Sequence, residues 1–234
     1  FSWYIKIFGG RDKLKKLKKK IKFKIATDGS SASGKTTGGK LIARKFHMNF
    51  LSSGSLYRFC AFKILENNNI YNVKFINKIV KSITLKKLQN KNLYSPDVAR
   101  LSSIIAKRPF IRKALKSFQT NFIKKSKLVV VEGRDIGSVI MPNADLKLFF
   151  NCSIKEKAKR RLKEFKSQNK KVTLKQVEKS LIQRDKEDTN RKISPLIMTK
   201  NAVLVDTTKL SIKQMETKLT SLVKNSIKKK YGNL

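Results

Sequence analysis

Ile25-Ala-Thr-Asp-Gly29-Ser-Ser-Ala-Ser-Gly34-Lys35-Thr36-Thr37 is the stretch from which the rest of this chain is read. Between Gly29 and Thr36 it matches the phosphate-binding pattern G-x-x-x-x-G-K-[ST] at every fixed position. The flanks suit the pattern. Phe23, Ile25 and Ala26 read as a short strand entering the loop, and Leu41, Ile42, Lys45 and Phe46 as a helix leaving it. Small residues let successive backbone N–H groups curl around phosphate oxygens, and the helix N-terminus adds partial positive charge. Lys35 then reaches the terminal phosphates, and the Thr36 hydroxyl ligates magnesium directly. The competing reading, a Ser/Gly-rich turn before a helix, leaves the strand–loop–helix context unexplained. The loop implies a nucleoside triphosphate donor and leaves the acceptor open.

The length of 234 residues suits one globular domain with small inserts, and 40% hydrophobic residues supply its core. No apolar run is long enough to cross a bilayer. Cys60 and Cys152 lie far apart in no metal or redox motif, which predicts buried, reduced thiols and a cytoplasmic protein. His47 is the only histidine, at the end of the first helix, so histidine-based zinc sites and catalytic triads are excluded or must rest on it. The net charge of +41 invites a polyanion-binding reading. However, the 56 basic residues comprise 45 Lys and 11 Arg, and Asn, Ile and Phe are abundant. Drift towards AT-rich codons therefore accounts for much of the charge. Aromatics are scarcely interleaved with the Lys runs, which leaves non-specific electrostatic contact with nucleic acid. A chain that fills generic basic positions with Lys keeps Arg where a planar, bidentate fork is needed.

Residues 1–21 read as a basic, disordered tail, because the order of apolar and charged parts is wrong for a signal peptide. After the loop helix, Asn49 to Ser52 read as a strand, followed by a Gly54 turn and a helix through Leu65. Residues 68–96 are weakly patterned, with one helix hinted by Val73, Ile76, Ile79, Val80 and Ile83 and a loop at Gln89–Asn92. Ser95-Pro96-Asp97 starts a helix whose apolar face is Val98, Leu101, Ile104 and Ile105, and Pro109 breaks it. Ile111, Leu115, Phe118 and Phe122 mark the next helix, to about Lys125. Leu128–Val131 reads as a strand buried on both faces, Leu146–Phe150 as another, and Ala202–Val205 as the last. Lys155–Lys166, Thr173 to about Lys186, and the stretch from Ile212 to Ile227 read as helices. Alternating strands and helices predict an α/β domain with a parallel sheet of about five strands. Ligands of such sheets lie beyond the carboxyl ends of the strands. The phosphate loop, Ser52–Ser53 and Glu132–Asp135 all follow strand ends, so they are expected in one cleft.

Glu132 ends a buried strand, where a carboxylate can hold magnesium through water; a solvated strand-end acid is the alternative. In Gln183-Arg184-Asp185-Lys-Glu-Asp188-Thr-Asn-Arg191, Arg184 and Asp188 are four apart. Chemistry alone allows either a surface ion pair or a mobile lid, over about 184–195, whose arginines close on phosphates and exclude water.

Five stretches together resemble bacterial cytidylate kinases: IATDGSSASGKTT, FLSSGSLYR, the Ser103–Arg112 segment, VVVEGRDIGSVIMPNADLKLFF, and QRDKEDTNRKISPL followed by AVLVDTTKLS. They occur in the family's order and cover most of residues 23–225. The resemblance implies a P-loop, doubly wound parallel sheet with helices on both faces, a nucleoside-monophosphate-binding insert and a helical lid, over residues 22–230. It implies transfer of the γ-phosphoryl group of ATP to CMP or dCMP, with magnesium, by a monomer. Gly29, Ser30, Ser31, Ala32, Ser33, Gly34, Lys35, Thr36 and Thr37 would then cradle ATP, with Arg160 against adenine. Ser53, Tyr57, Arg58 and Arg134 would hold the acceptor's phosphate, and Ser103, Arg112 and Asp135 would read the cytosine edge. Arg184 and Asp188 would contact the acceptor's sugar and phosphate side, and Arg191 would close the lid. Lys35, Arg134, Arg184 and Arg191 form the implied catalytic set. Six of the eleven arginines (58, 108, 112, 134, 184, 191) fall in these stretches.

The chain departs from the family's pattern in three places. Ser52 stands where the family usually has Asp. The insert between about Lys74 and Ser95 is short and lacks the usual strands. Gly38 and Gly39 sit in the first turns of the loop helix, where they are expected to weaken it by about 1 kcal/mol each. The alternatives to a CMP kinase are a P-loop kinase for another acceptor, UMP or AMP, and a basic nucleic-acid-binding P-loop protein.

Overall fold

The computed structural model describes residues 21–68, 71–167 and 172–232. Its strands are β1 (Phe23–Gly29), β2 (Asn49–Ser52), β3 (Leu128–Glu132), β4 (Leu146–Asn151) and β5 (Ala202–Asp206). They form one sheet in the order β2-β3-β1-β4-β5, and every pairing is parallel. Parallel neighbours require crossovers, which are supplied by helices. These are α1 (Lys35–Phe46), α2 (Ser53–Glu66), α3 (Val73–Lys81), α4 (Pro96–Ile105), α5 (Pro109–Lys125), α6 (Ile154–Lys166), α7 (Leu174–Asn190) and α8 (Ile212–Tyr231). From β1 the chain runs to β2 and β3 on one side, then to β4 and β5 on the other. The switch point therefore falls at the end of β1, where the phosphate loop begins. The register sets Thr27, Glu132 and Ser52 at one level.

The alternation within β3 explains the two-sided core. Val129 and Val131 join Ala26, Leu51 and residues of α2 to α5 on one face. Val130 joins Ile25, Leu148, Phe150 and residues of α1 and α8 on the other. A third, small cluster (Ala158, Val177 and Leu181) holds α6 against α7, with Ala32 of the phosphate loop at its edge. Both cysteines are buried. Among the described residues no helix is long and apolar enough to cross a membrane.

Several local expectations change. Helix α7 continues to Asn190 rather than ending near Lys186, because no Gly or Pro intervenes before Pro195 and a capping box at Thr173 and Gln176 fixes its start. Asp185 and Asp188 thus lie on one rigid helix. Pro109 is the first residue of α5 rather than only the breaker of α4. Ile104 points to solvent. The loop expected at Gln89–Asn92 falls instead within two 3-10 turns, Lys87–Gln89 and Lys91–Tyr94, with only Asn90 between them. Leu88 and Leu93 plug these turns into the core, so the short insert is packed without strands. The basic tail lies outside the described residues except Ile21, which is buried with β1.

The glycines of α1 have a steric reason. A Cβ on Gly38 falls 2.6 Å from the Phe150 ring, and one on Gly39 falls 2.9 Å from the Phe50 ring. The helix approaches the sheet too closely for alanine, and two phenylalanines fill the space.

Candidate active site

The loop after β1 closes on itself. Gly29 has φ 150°, and a Cβ there would lie 2.3 Å from the Phe150 carbonyl oxygen. Ala32 and Gly34 also take positive φ, at 56° and 87°, which turns the chain into α1. Lys35 Nζ and Ser33 Oγ both donate to the Ser30 carbonyl, each at 2.9 Å. Burial, and then the positive charge of Arg134, push the Lys35 ammonium down to about 7. The lysine is thus aimed into the loop, in an environment that favours an anion beside it.

The loop faces a cleft of about 800 Å³. Its lining includes Ser31–Thr37, Ser53, Tyr57, Arg58, Ser103, Arg112, Glu132, Arg134, Asp135, Arg160, Arg184, Asp188 and Arg191. Gly29 and Ser30 do not line it; they form the base of the loop. The strand ends bring together residues more than 150 positions apart in sequence.

Arg134 is the hub. Its Nε pairs with Asp188 Oδ2 at 2.7 Å, and its Nη2 donates to Ser31 Oγ at 2.9 Å. Asp188 also faces Arg191 Nη1 at 3.5 Å and holds the Leu196 amide through its own carbonyl, at 2.8 Å. Burial opposes the Asp188 charge, but Arg134, Arg184 and Arg191 outweigh it and hold the carboxyl below its usual range. Arg184 has no hydrogen-bond or ion-pair partner among the described residues, and burial with Arg134 nearby lowers its pKa to about 10. Arg191 Nη2 is buried and unpaired. Such concentrated, undersatisfied positive charge is poised for phosphate oxygens.

The other end of the cleft is different. Arg112 and Asp135 form a buried ion pair through Nη2 and Oδ2, with Arg112 Nη1 on the Ala106 carbonyl at 3.1 Å. The guanidinium stacks over the Tyr57 ring at 5.8 Å. Arg58 is fixed by the Leu93 carbonyl at 3.1 Å and by the Tyr94 ring, so the second 3-10 turn of the insert aims it. Ser103 Oγ donates to the Ala99 carbonyl at 3.3 Å, and its neighbour Ser102 lines the same wall.

Glu132 and Thr36 both line the cleft and carry oxygen donors. Ser52 Oγ donates to Glu132 Oε1 and accepts the Ser55 amide at 3.3 Å, capping α2. One hydroxyl thus does both tasks at the position where the pattern favours Asp. A hydroxyl and a carboxylate suit a hard cation such as magnesium. No three His, Cys, Asp or Glu side chains group to cage a metal among the described residues.

Two positioning residues escape sequence reading. Asp28 accepts the Ile136 and Gly137 amides, at 2.8 and 2.6 Å, and so pins the turn carrying Arg134 and Asp135. Thr207, after β5, donates to the Ser33 carbonyl at 2.9 Å and accepts Arg160 Nη1 at 3.0 Å. Arg160 therefore stands beside Gly34. A polar residue at or directly after a strand end was the available signal for both.

Comparison with known proteins follows the same lines. The sequence profile described as cytidylate kinase matches residues 25–225. A cytidylate kinase of Mycoplasmoides gallisepticum is 37% identical over 218 residues, covering 89% of this chain and 96% of its own. One from Thermotoga maritima is 34% identical, covering 86% and 97%. A crystal structure of a Thermus thermophilus protein shares the fold, with a TM-score of 0.51 at 14% identity over 88% of this chain and 98% of that one.

Proposed function

The chain belongs to the cytidylate kinase family, and on that premise we propose how its cleft transfers the γ-phosphoryl group of ATP to CMP or dCMP. The observation that carries the acceptor reading is the buried Arg112–Asp135 pair. Cytosine offers an N4 donor beside N3 and O2 acceptors, so a carboxylate and a guanidinium side by side complement it. Uracil's O4 faces the carboxylate instead, and a buried acceptor left opposite an acceptor is costly. Ser103 completes this edge.

The Gly29–Thr37 loop holds the ATP phosphates, with Lys35 on the transferred group and Arg160 on the adenine side. Ser53, Tyr57, Arg58 and Arg134 hold the acceptor's phosphate in line. Arg184 and Asp188 contact the acceptor's sugar and phosphate, and Arg191 closes the lid. The acceptor phosphate is already an anion, so no general base is required; alignment and charge neutralisation lower the barrier. Thr36 would hold magnesium directly and Glu132 through water, and the ion would supply neutralisation of phosphate charge. The protein acts as a cytoplasmic monomer in pyrimidine nucleotide supply, and it touches nucleic acid only by non-specific charge attraction.

Arg112→Met tests the base-reading assignment. It is expected to lower kcat/KM for CMP by ~100-fold while leaving ATP binding within about twofold. Equal losses for both substrates contradict the assignment.

A further inference from the structure

Asp185 does not line the cleft, yet it reaches the donor loop directly. Its Oδ1 accepts the Ser31 backbone N–H at 3.0 Å, and its Oδ2 accepts Lys157 Nζ at 2.8 Å. Lys157, on α6, is buried. Ser31 is held a second time from the same helix: Arg134 bonds its hydroxyl at 2.9 Å and pairs with Asp188 at 2.7 Å. Asp185 and Asp188 are three apart on α7, so they share a face. One acts on Ser31 directly and the other through Arg134.

Two features distinguish this arrangement from an incidental ion pair. First, α7 packs with α6 in a small apolar cluster of its own, so polar tethers matter to its placement on the main body. Second, a buried ion pair is weak evidence for stability, because desolvation offsets the attraction; fixing a geometry is its better-attested use. The carboxylate is also the group that serves both partners. It accepts from an amide and an ammonium together, whereas an Asn would turn a donor towards one of them.

We infer that Asp185 is a positioning residue, which fastens α7 to the outer limb of the phosphate loop and so aligns Arg184 and Arg191 with the reacting phosphates. The inference rests on the kinase reading above and adds a direct coupling between lid and donor loop. Lys157 is the counter-ion that keeps Asp185 aimed.

The test joins amide exchange with kinetics on the full chain. In unliganded protein, Asp185→Ala is expected to speed hydrogen exchange of the Ser31 amide about tenfold while the α8 amides stay unchanged. It is expected to lower kcat about tenfold or more at saturating ATP and CMP, with the CMP-to-UMP preference retained. Asp185→Asn combined with Lys157→Met keeps a carbonyl for Ser31 and removes the cation facing the new amide. That double variant is expected to hold kcat within about threefold of the parent. The inference is overturned by a Ser31 amide that exchanges as in the parent in Asp185→Ala, or by a kcat within about twofold of the parent. If Asp185→Ala does not fold, the double variant decides: an unprotected Ser31 amide with parental kcat overturns the inference, and a protected one with near-parental kcat supports it. The exchange readout needs no turnover. A parent protein that phosphorylates neither CMP nor dCMP defeats the kinase reading without altering the Ser31 result.

Discussion

Alanine at position 38 reverses the usual helix rule. On propensity alone, Gly38→Ala in α1 stabilises by about 1 kcal/mol. The structure forbids the added methyl. It would sit 2.6 and 2.7 Å from two atoms of the Phe150 ring and 3.1 Å from Leu219 Cδ1, whereas ordinary contact begins at 3.4 Å. Phe150 and Leu219 are both almost fully buried and have no room to swing away. Relief therefore comes from α1 receding from the sheet by about 1 Å. Overpacking of this kind costs about 1–3 kcal/mol, so the net loss after the propensity gain is up to about 2 kcal/mol. For a domain of this size that lowers Tm by up to about 4–8 °C. The same recession carries Lys35 and Thr36 away from the phosphates, and a misplacement of about 1 Å costs up to ~100-fold in rate. Thermal melts and steady-state kinetics of Gly38→Ala, alone and with Phe150→Leu, measure both effects. Phe150→Leu opens the space and is expected to restore part of the lost kcat. A Gly38→Ala protein with a raised Tm and parental kcat refutes the steric argument.

The remaining predictions concern the donor side. Lys35, held near 7 in the empty loop, is mostly neutral at pH 8. Phosphate anions raise its pKa, so the complex binds the proton that the free protein lacks, and affinity weakens as pH rises above about 7. Titration calorimetry of ATP at pH 8 in buffers of different ionisation enthalpy is expected to show net proton uptake, which shrinks towards pH 6; identical heats in both buffers at pH 8 contradict this. Thr207→Val removes the hydroxyl joining Ser33 to Arg160. It is expected to raise KM for ATP by about 5- to 30-fold with KM for CMP unchanged, as the loss of about 1–2 kcal/mol requires. Parallel increases in both constants assign Thr207 to the fold instead.

The legible part of this chain was the part written in strong local chemistry. The phosphate pattern, the apolar run at Leu128–Val131 and the strand-end carboxylates located the cleft, because parallel topology puts every strand end on one edge. The scarce arginines marked the phosphate region for the same reason, since Lys does not replace a planar fork. What stayed hidden depends on contacts between distant segments. Gly38 and Gly39 look like weak helix formers until Phe150 and Phe50 are seen against them. Asp28 and Thr207 are ordinary strand-end residues until the turn at Ile136 and the carbonyl of Ser33 meet them. The end of α7 was misjudged because mixed charges resemble a loop, whereas cross-element partners such as Lys107 with Glu187, at 2.9 Å, use them as anchors.

The acceptor panel tests the account at its centre. Purified protein is supplied with ATP and magnesium, and turnover of CMP, dCMP, UMP and AMP is followed under identical conditions. The Arg112–Asp135 pair predicts CMP and dCMP as the preferred acceptors, with UMP and AMP poorer by ~100-fold or more in kcat/KM. Equal or better turnover of UMP or AMP contradicts it.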